Sequence, residues 1–204
     1  METKTDLREE IRRLSIETRF SQRLLEKDYH LTRILHKISE KSIKDLVFKG
    51  GTCLNKCYLG FYRLSEDLDF VFNQDVKGLS KAQIKKILDD LRRILFEILK
   101  ELGLETNKEL GKGWKMLTSK EEPKIVGLEV IATYNSLIDN STQTIKIEIS
   151  FRKKLIKPTI MKAIHHEFID SLGQPILKED VEIEVIDLIE NFAEKFRALV
   201  TRKN

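Results

Sequence analysis

Two aspartates separated by a single residue, Asp67 and Asp69, are the side chains of this sequence best suited to carry chemistry. The apolar residues from Leu68 to Phe72 predict a strand here, so both carboxylates project from the same face. Carboxylates at that spacing, roughly 7 Å between Cα atoms, can share divalent cations. Two such cations can hold a triphosphate, activate a hydroxyl group and stabilise the leaving oxygen. The competing interpretation is an exposed acidic strand edge that binds nothing.

A third carboxylate, Glu148, lies on a predicted strand from Thr142 to Phe151 in which apolar and polar residues alternate. One face carries Ile145, Ile147, Ile149 and Phe151, and the other carries Thr144, Lys146, Glu148 and Ser150. Glu148 is the only acid on that polar face. If this strand neighbours the strand of the two aspartates, the three acids meet at one point. Otherwise Glu148 is a solvated residue paired with Lys146 or Arg152.

A pair of glycines precedes the aspartates. Gly50, Gly51 and Thr52 follow the apolar run Leu46-Val47-Phe48, which predicts a strand, and lead into a short helical stretch. Glycine permits positive φ and lets backbone N–H groups approach a ligand closely. A helix N-terminus adds donors and partial positive charge, which together suit a phosphate. The alternative is an ordinary tight turn capped by Thr52.

Three further polar residues near these motifs have two interpretations each. Ser65 shares the predicted face of the aspartates and either orients a carboxylate or caps a turn. Lys56 and Arg63 either steady phosphates or lie on the surface. The sequence does not choose between these interpretations.

The elements that must position these residues follow from hydrophobic periodicity. Further strands are predicted near Trp114–Leu117 and at Ile125–Tyr134. Helices are predicted at four places: one or two from about Leu7 to Ser39, one from Ser80 to Gly103, one from Pro158 to about Ile169, and one from Val185 to Arg202. The fold class is therefore α/β (α+β), a small mixed β-sheet flanked by helices, with the first and last helices closing around the sheet.

The composition excludes membrane-spanning and disulfide-rich classes. Charged residues make up 34% of the chain, and the formal net charge of +4 favours anionic ligands without reaching that of a dedicated nucleic-acid binder. No apolar run reaches transmembrane length and the N-terminus lacks a signal-peptide core, so we expect a cytoplasmic protein without membrane contact. The two cysteines, Cys53 and Cys57, suit burial better than zinc binding.

Five strings of the sequence resemble one protein family. They are LLEKDYHLTRIL, KGGTCLNK, RLSEDLDF, IKIEISFR and FAEKFRAL. The glycine pair followed by Asp-x-Asp on the next strand resembles the signature of polymerase β-type nucleotidyltransferases, and the longer strings resemble its AbiEii/AbiGii toxin branch. The resemblance covers roughly residues 24–202. It implies a single nucleotidyltransferase domain at 1–204, with helical segments at about 5–45 and 158–204 around a catalytic core at about 46–155.

The resemblance also implies roles for the matching residues. The ligands of a catalytic Mg²⁺ or Mn²⁺ would be Asp67, Asp69 and Glu148. The residues that contact the nucleotide would be Gly50, Gly51, Thr52, Ser65 and Lys195. From the residues alone, Lys195 is equally well explained as a solvated lysine, because it lies on a helix beside Phe192 and Phe196.

The activity that the resemblance implies is transfer of a nucleotide from a nucleoside triphosphate to an RNA, tRNA or protein acceptor. Such a protein would be the toxin of a toxin–antitoxin or abortive-infection system, with a cognate antitoxin as its partner. Two alternatives keep the fold: a non-catalytic nucleotide-binding sensor or regulatory module, which has no need of three acids, and a kinase-like phosphotransferase. Family members commonly continue into further helices where this sequence stops at Asn204, which leaves the acceptor more open than the core.

Overall fold

The computed structural model describes residues 4–60, 64–76, 78–120, 125–151, 155–170 and 173–201. Its helices are α1 (Lys4–Thr18), α2 (Gln22–Lys41), α3 (Gly50–Cys53), α4 (Lys81–Glu101) and α5 (Leu188–Thr201), and a π-helix (Leu54–Leu59) continues directly from α3. Its strands are β1 (Leu46–Lys49), β2 (Asp67–Phe72), β3 (Trp114–Thr118), β4 (Ile125–Asn135), β5 (Thr142–Phe151), β6 (Ile160–Ala163) and β7 (Glu182–Val185).

Within these residues, seven strands form one mixed sheet in the order β3-β4-β5-β2-β1-β7-β6. The central strand β2 runs parallel to β5 on one side and antiparallel to β1 on the other. Strand β1 in turn runs parallel to β7, and β4 runs antiparallel to β5. The predicted fold class, a mixed sheet with helices, is confirmed.

The two faces of the sheet differ because apolar and polar residues alternate along β2 and β5. The apolar face is covered by α2 and α4, and its buried side chains form one continuous core, which includes Leu31, Ile34, Leu35, Phe48, Leu68, Phe70, Leu91, Leu95, Ile147 and Ile149. A smaller core joins α1 to α2 through Ile11 and Leu25. The polar residues that alternate with the apolar ones along β2 and β5 point to the opposite face, which we call the open face, and four of these are partly buried: Asp67, Asp69, Lys146 and Glu148.

Helix α4 begins and ends where the sequence predicts. The side chain of Ser80 accepts a hydrogen bond from the backbone N–H of Gln83, and the Gln83 side chain accepts one from the backbone of Ser80. This capping box satisfies two donors that a helix start leaves free. At the other end, Gly103 adopts φ +71°, the left-handed conformation that follows many helices.

The helix predicted from Pro158 to about Ile169 is wrong. Residues Ile160–Ala163 instead form β6, which pairs antiparallel with β7 and adds an edge to the sheet. A short run with two apolar residues does not distinguish a strand from a helix by periodicity alone. His165 and His166 therefore do not lie on a helix, contrary to the prediction.

The last helix also differs from its prediction. Val185 ends a strand, and α5 begins only at Leu188. Its apolar residues do not close over the sheet in the described part of the chain, because Ile189, Phe192, Phe196 and Val200 are 65%, 47%, 69% and 68% exposed. The face that is buried is instead polar, with Asn191 only 3% exposed. None of the described helices is long and apolar enough to cross a membrane.

Candidate active site

A row of five charged residues crosses the open face, one from each of five adjacent strands. The register pairs Lys49 of β1 with Asp69 of β2, Asp69 with Glu148 of β5, Glu148 with Glu129 of β4, and Glu129 with Lys115 of β3. Paired residues of neighbouring strands share a face and lie about 5 Å apart. The row therefore places three acids side by side with a lysine at each end. The condition for Glu148 to join the aspartates, that their strands are neighbours, is met.

Asp69 lies at the centre of this row in a poorly solvated position. Burial raises the pKa of its carboxyl group above the usual value, and the nearby Glu148 raises it further, whereas Lys49 opposes the shift. The charges of the protein therefore do not fully offset the cost of ionising this carboxyl group in its partly buried position. A bound cation would offset that cost.

The glycine pair is packed directly against this acid. Gly50 adopts φ +80°, and a Cβ atom built on it would lie 2.4 Å from Oδ2 of Asp69. Both observations require glycine at this position. A Cβ atom on Gly51 would lie 3.2 Å from the Ser65 hydroxyl oxygen, so Ser65 lies beside the second glycine. The structure thus brings the predicted phosphate-binding residues and the predicted metal ligands together.

Two groups in this loop already have protein partners. The Thr52 side chain is 1% exposed, and its hydroxyl donates a hydrogen bond to the backbone oxygen of Asp67. The N–H of Gly50 donates to Oδ1 of Asn191 at 3.0 Å. The hydroxyl of Thr52 therefore ties α3 to β2, and a phosphate would meet backbone groups of the loop rather than this side chain.

Asn191 and Glu194, two residues of α5 that the sequence analysis did not single out, hold the loop from the other side. The Asn191 amide accepts from the Gly50 N–H and also donates to the Gly50 oxygen at 3.2 Å. Three residues further along the helix, Glu194 pairs with Lys49 at 3.1 Å. The local sequence carries no signal of these contacts, because the partners Gly50 and Lys49 lie far away in the chain. Lys195 is exposed on the same helix.

Asp67, the other predicted ligand, lies opposite Lys146 in the β2–β5 register. The Lys146 ammonium is 3.3 Å from Oδ2 of Asp67, and the two side chains are 35% and 45% exposed. Burial lowers the pKa of Lys146, but the charges of Asp67, Glu148 and Asp69 outweigh this effect and raise it above the usual value. Lys146 is therefore a cation held among the three acids.

Lys56 contacts neither a phosphate position nor the surface, so both interpretations of it are wrong. It lies on the π-helix with its side chain 1% exposed, and its ammonium binds Oδ2 of Asp28 of α2 at 2.9 Å. Asp28 is equally buried. Both cysteines are buried as predicted, whereas Arg63 lies outside the described residues.

The acids fit an open metal–nucleotide centre better than a closed metal cage. Across the described ranges, no three His, Cys, Asp or Glu side chains are arranged to hold an ion by themselves. Mg²⁺ commonly takes only one or two carboxylates and completes its shell with water and substrate phosphates. Asp67 and Asp69 on one strand, with Glu148 beside them, supply oxygen ligands of this kind.

Comparisons with known proteins identify the family of the chain. A family model described as "Nucleotidyl transferase AbiEii toxin, Type IV TA system" matches residues 33–204. No curated protein matches the chain. Its fold is similar to the crystal structure of JHP933 from Helicobacter pylori, with 18% identity and a TM-score of 0.46, over 86% of this chain and 57% of that one. The fold is also similar to the crystal structure of a candidate nucleotidyltransferase from H. pylori, with 17% identity and a TM-score of 0.45, over 86% of this chain and 59% of that one. The chain thus spans less than two thirds of either structure.

Proposed function

Because the chain belongs to the AbiEii family of nucleotidyltransferase toxins, we propose that it transfers a nucleotide from a nucleoside triphosphate to a hydroxyl group of an RNA or protein acceptor. The observation that carries this proposal is the pairing of Asp69 with Glu148 beside the glycine pair, with Asp67 on the same strand. The glycines supply a close backbone approach for phosphates, and the acids supply ligands for the cation that accompanies them. A toxin of this family is expected to act on a translation component in the cytoplasm.

In the proposed reaction, Asp67, Asp69 and Glu148 would hold Mg²⁺ or Mn²⁺. When bound, such a cation neutralises phosphate charge and lowers the pKa of a nearby hydroxyl group. One of the two aspartates accepts the proton of the acceptor hydroxyl. The hydroxyl oxygen then bonds to the α-phosphorus, the bond from that phosphorus to the bridging oxygen breaks, and pyrophosphate leaves. Asp69 suits the metal-ligand role because a cation would stabilise its poorly solvated carboxylate.

The nucleotide would lie along the loop and α5. Gly50, Gly51 and Thr52 shape the backbone that faces the phosphates, and Ser65 stands beside the second glycine. Lys195 is exposed on the helix that Asn191 ties to Gly50, so its ammonium is free to reach a bound nucleotide. The acceptor would bring its hydroxyl group to the aspartates, and the rest of the acceptor, like the cognate antitoxin, would bind outside this core.

The experiment that tests the proposal is incorporation from each of the four nucleoside triphosphates, labelled at the α-phosphate, into total RNA and total protein with Mg²⁺. We expect label in one acceptor class from wild-type protein. Asp67→Ala/Asp69→Ala protein should lose this transfer by on the order of 10³-fold or more, since it lacks two of the three ligands. The matched control is Glu129→Gln, which removes an acid of the same row that is already paired with Lys115 at 2.9 Å.

The same assay separates the alternatives. Transfer from γ-labelled nucleotide, with a nucleoside diphosphate released, would identify a kinase-like phosphotransferase and contradict nucleotidyl transfer. Nucleotide binding without transfer to any acceptor would identify a sensor. Expression of wild-type protein, but not of the double variant, should slow host growth if the protein is a toxin.

A further inference from the structure

Lys146 stands among the acids of the open face with no role in the reaction just described. We propose that it has two successive partners: Asp67 while the carboxylates are free of metal, and the phosphates of the nucleotide once metal and nucleotide are bound. This role rests on the proposed function, and it makes Lys146 a catalytic residue for the same transfer.

The position of Lys146 follows from the sheet. It lies on β5 two residues before Glu148, so both side chains project from the open face. Its Cα atom is paired with that of Asp67, and its ammonium is 3.3 Å from a carboxylate oxygen of that residue. Lys146 thus forms an ion pair with one of the carboxylate oxygens that a metal at this centre would need as a ligand.

The other lysines of the open face that the structure describes are engaged elsewhere. Lys49 is paired with Glu194 and is only 11% exposed, whereas Lys115 is paired with Glu129 at the far end of the row. Lys146 contacts a proposed metal ligand and is 35% exposed, so it has both the contact and the room to move. A lysine side chain has a flexible four-carbon stem that lets its ammonium swing between partners.

The exchange of partners follows from electrostatics. An ammonium and a divalent cation on the same carboxylate repel each other, so Lys146 must give up Asp67 when a metal binds there. The strongest negative charge at the centre would then be the triphosphate held by the same metal. An ammonium placed beside the phosphates stabilises the charge that builds up on them as pyrophosphate leaves.

This role predicts effects of opposite sign from one substitution. In Lys146→Met, the cation that competes for Asp67 is gone, so Mn²⁺ measured without nucleotide should bind about two- to fivefold more tightly, the range expected for a half-exposed ion pair. In the same variant, kcat/KM for nucleotide transfer should fall by about tenfold or more. A lysine that only stabilises the sheet would not tighten metal binding.

The test measures Mn²⁺ binding by electron paramagnetic resonance and transfer kinetics on wild-type protein and three variants. Lys146→Arg keeps the charge and should keep wild-type Mn²⁺ affinity with most of the turnover. Lys115→Met, the matched control, removes a lysine of the same face that is paired with Glu129 outside the proposed centre, and should change neither quantity.

Two failures are distinguishable. If wild-type protein binds no Mn²⁺ and transfers no label, the proposed function fails and the role of Lys146 fails with it. If the wild type does both, but Lys146→Met binds Mn²⁺ no more tightly, or matches Lys115→Met in both measurements, then the role of Lys146 alone is overturned.

Discussion

Two lysine–aspartate pairs in this molecule have nearly the same contact distance and opposite surroundings. Lys56 and Asp28 meet at 2.9 Å with both side chains 1% exposed. Lys146 and Asp67 meet at 3.3 Å with 35% and 45% exposed. The first pair joins the π-helix to α2, whereas the second lies on the open face among the proposed metal ligands. Burial, rather than the chemistry of the groups, makes the first pair permanent and leaves the second exchangeable.

The largest effect is expected from breaking the buried pair. Lys56→Met leaves the Asp28 carboxylate buried without its cation, and Oδ1 of Asp28 has no hydrogen-bond partner in the described structure to compensate. The free energy of unfolding should fall by about 3–5 kcal/mol. Urea denaturation measures it.

A second substitution tests whether charge is the cause. In Lys56→Met/Asp28→Leu both charges are replaced by apolar groups, and most of the lost stability should return. If the double variant is as unstable as the single one, the pair contributes packing or specific geometry to the π-helix rather than charge compensation.

An intermediate effect is expected at the tie between α5 and the loop. Asn191→Leu keeps the side-chain size but removes both hydrogen bonds to Gly50. Leaving these backbone groups without partners should cost about 1–3 kcal/mol in unfolding free energy. Nucleotide transfer should fall further than this loss explains, because the loop is no longer held against Asp69. Phe196→Gln, at an exposed position of the same helix, is the control, and equal losses in the two variants would contradict a role for the tie.

A buried histidine near this pair should also make stability depend on pH. His36 is 7% exposed and lies near Lys56. Burial lowers its pKa from 6.5 to about 4, with help from the charges of His166 and Lys56. The unfolded chain therefore takes up a proton at a higher pH than the folded one, so stability is complete above pH 6.5 and declines as the pH falls from 6.5 toward 4.

Thermal unfolding at several pH values checks this dependence. His36→Gln should flatten the decline, although His30 and His166, whose pKa values burial also lowers, keep part of it. His165→Gln changes an exposed neighbour and should leave the profile as it is. A wild-type melting temperature that is constant between pH 7 and pH 5 would contradict the prediction.

The smallest effect on stability is expected at the exposed pair. Lys146→Met removes a partly solvated ion pair and should change the unfolding free energy by less than about 1 kcal/mol. Compared with Lys56→Met in the same urea titration, this small value would show that the two pairs differ as their burial indicates. A loss of unfolding free energy as large as that of Lys56→Met would show that Lys146 mainly stabilises the fold, and would weaken its proposed role in transfer.

Local pattern was enough to predict much of the sheet and of the site. Strict alternation gave the bounds of β5 as the structure has them and placed Glu148 on the polar face. The two aspartates were placed on one face by the two-residue period of a strand, and the glycine pair at the end of β1 followed from its apolar run. These features depend on residues that are close together in the chain.

The features that were missed depend on residues far apart. Lys56 looked like a surface or phosphate-binding residue because its partner Asp28 lies on a separate helix. Asn191 had no local signal of its contact with Gly50. The strand β6 was mistaken for a helix because its identity comes from pairing with β7, about twenty residues further on.

The parallel pairing of β2 with β5 has a consequence for the time at which the protein becomes active. Between the strands of Asp69 and Glu148 the chain must build α4, β3 and β4, and Asn191 reaches Gly50 only from the last helix. Contacts of such long sequence separation form late in folding. A chain still being synthesised should therefore lack a complete site until α5 has been made and Asn191 has bonded to Gly50.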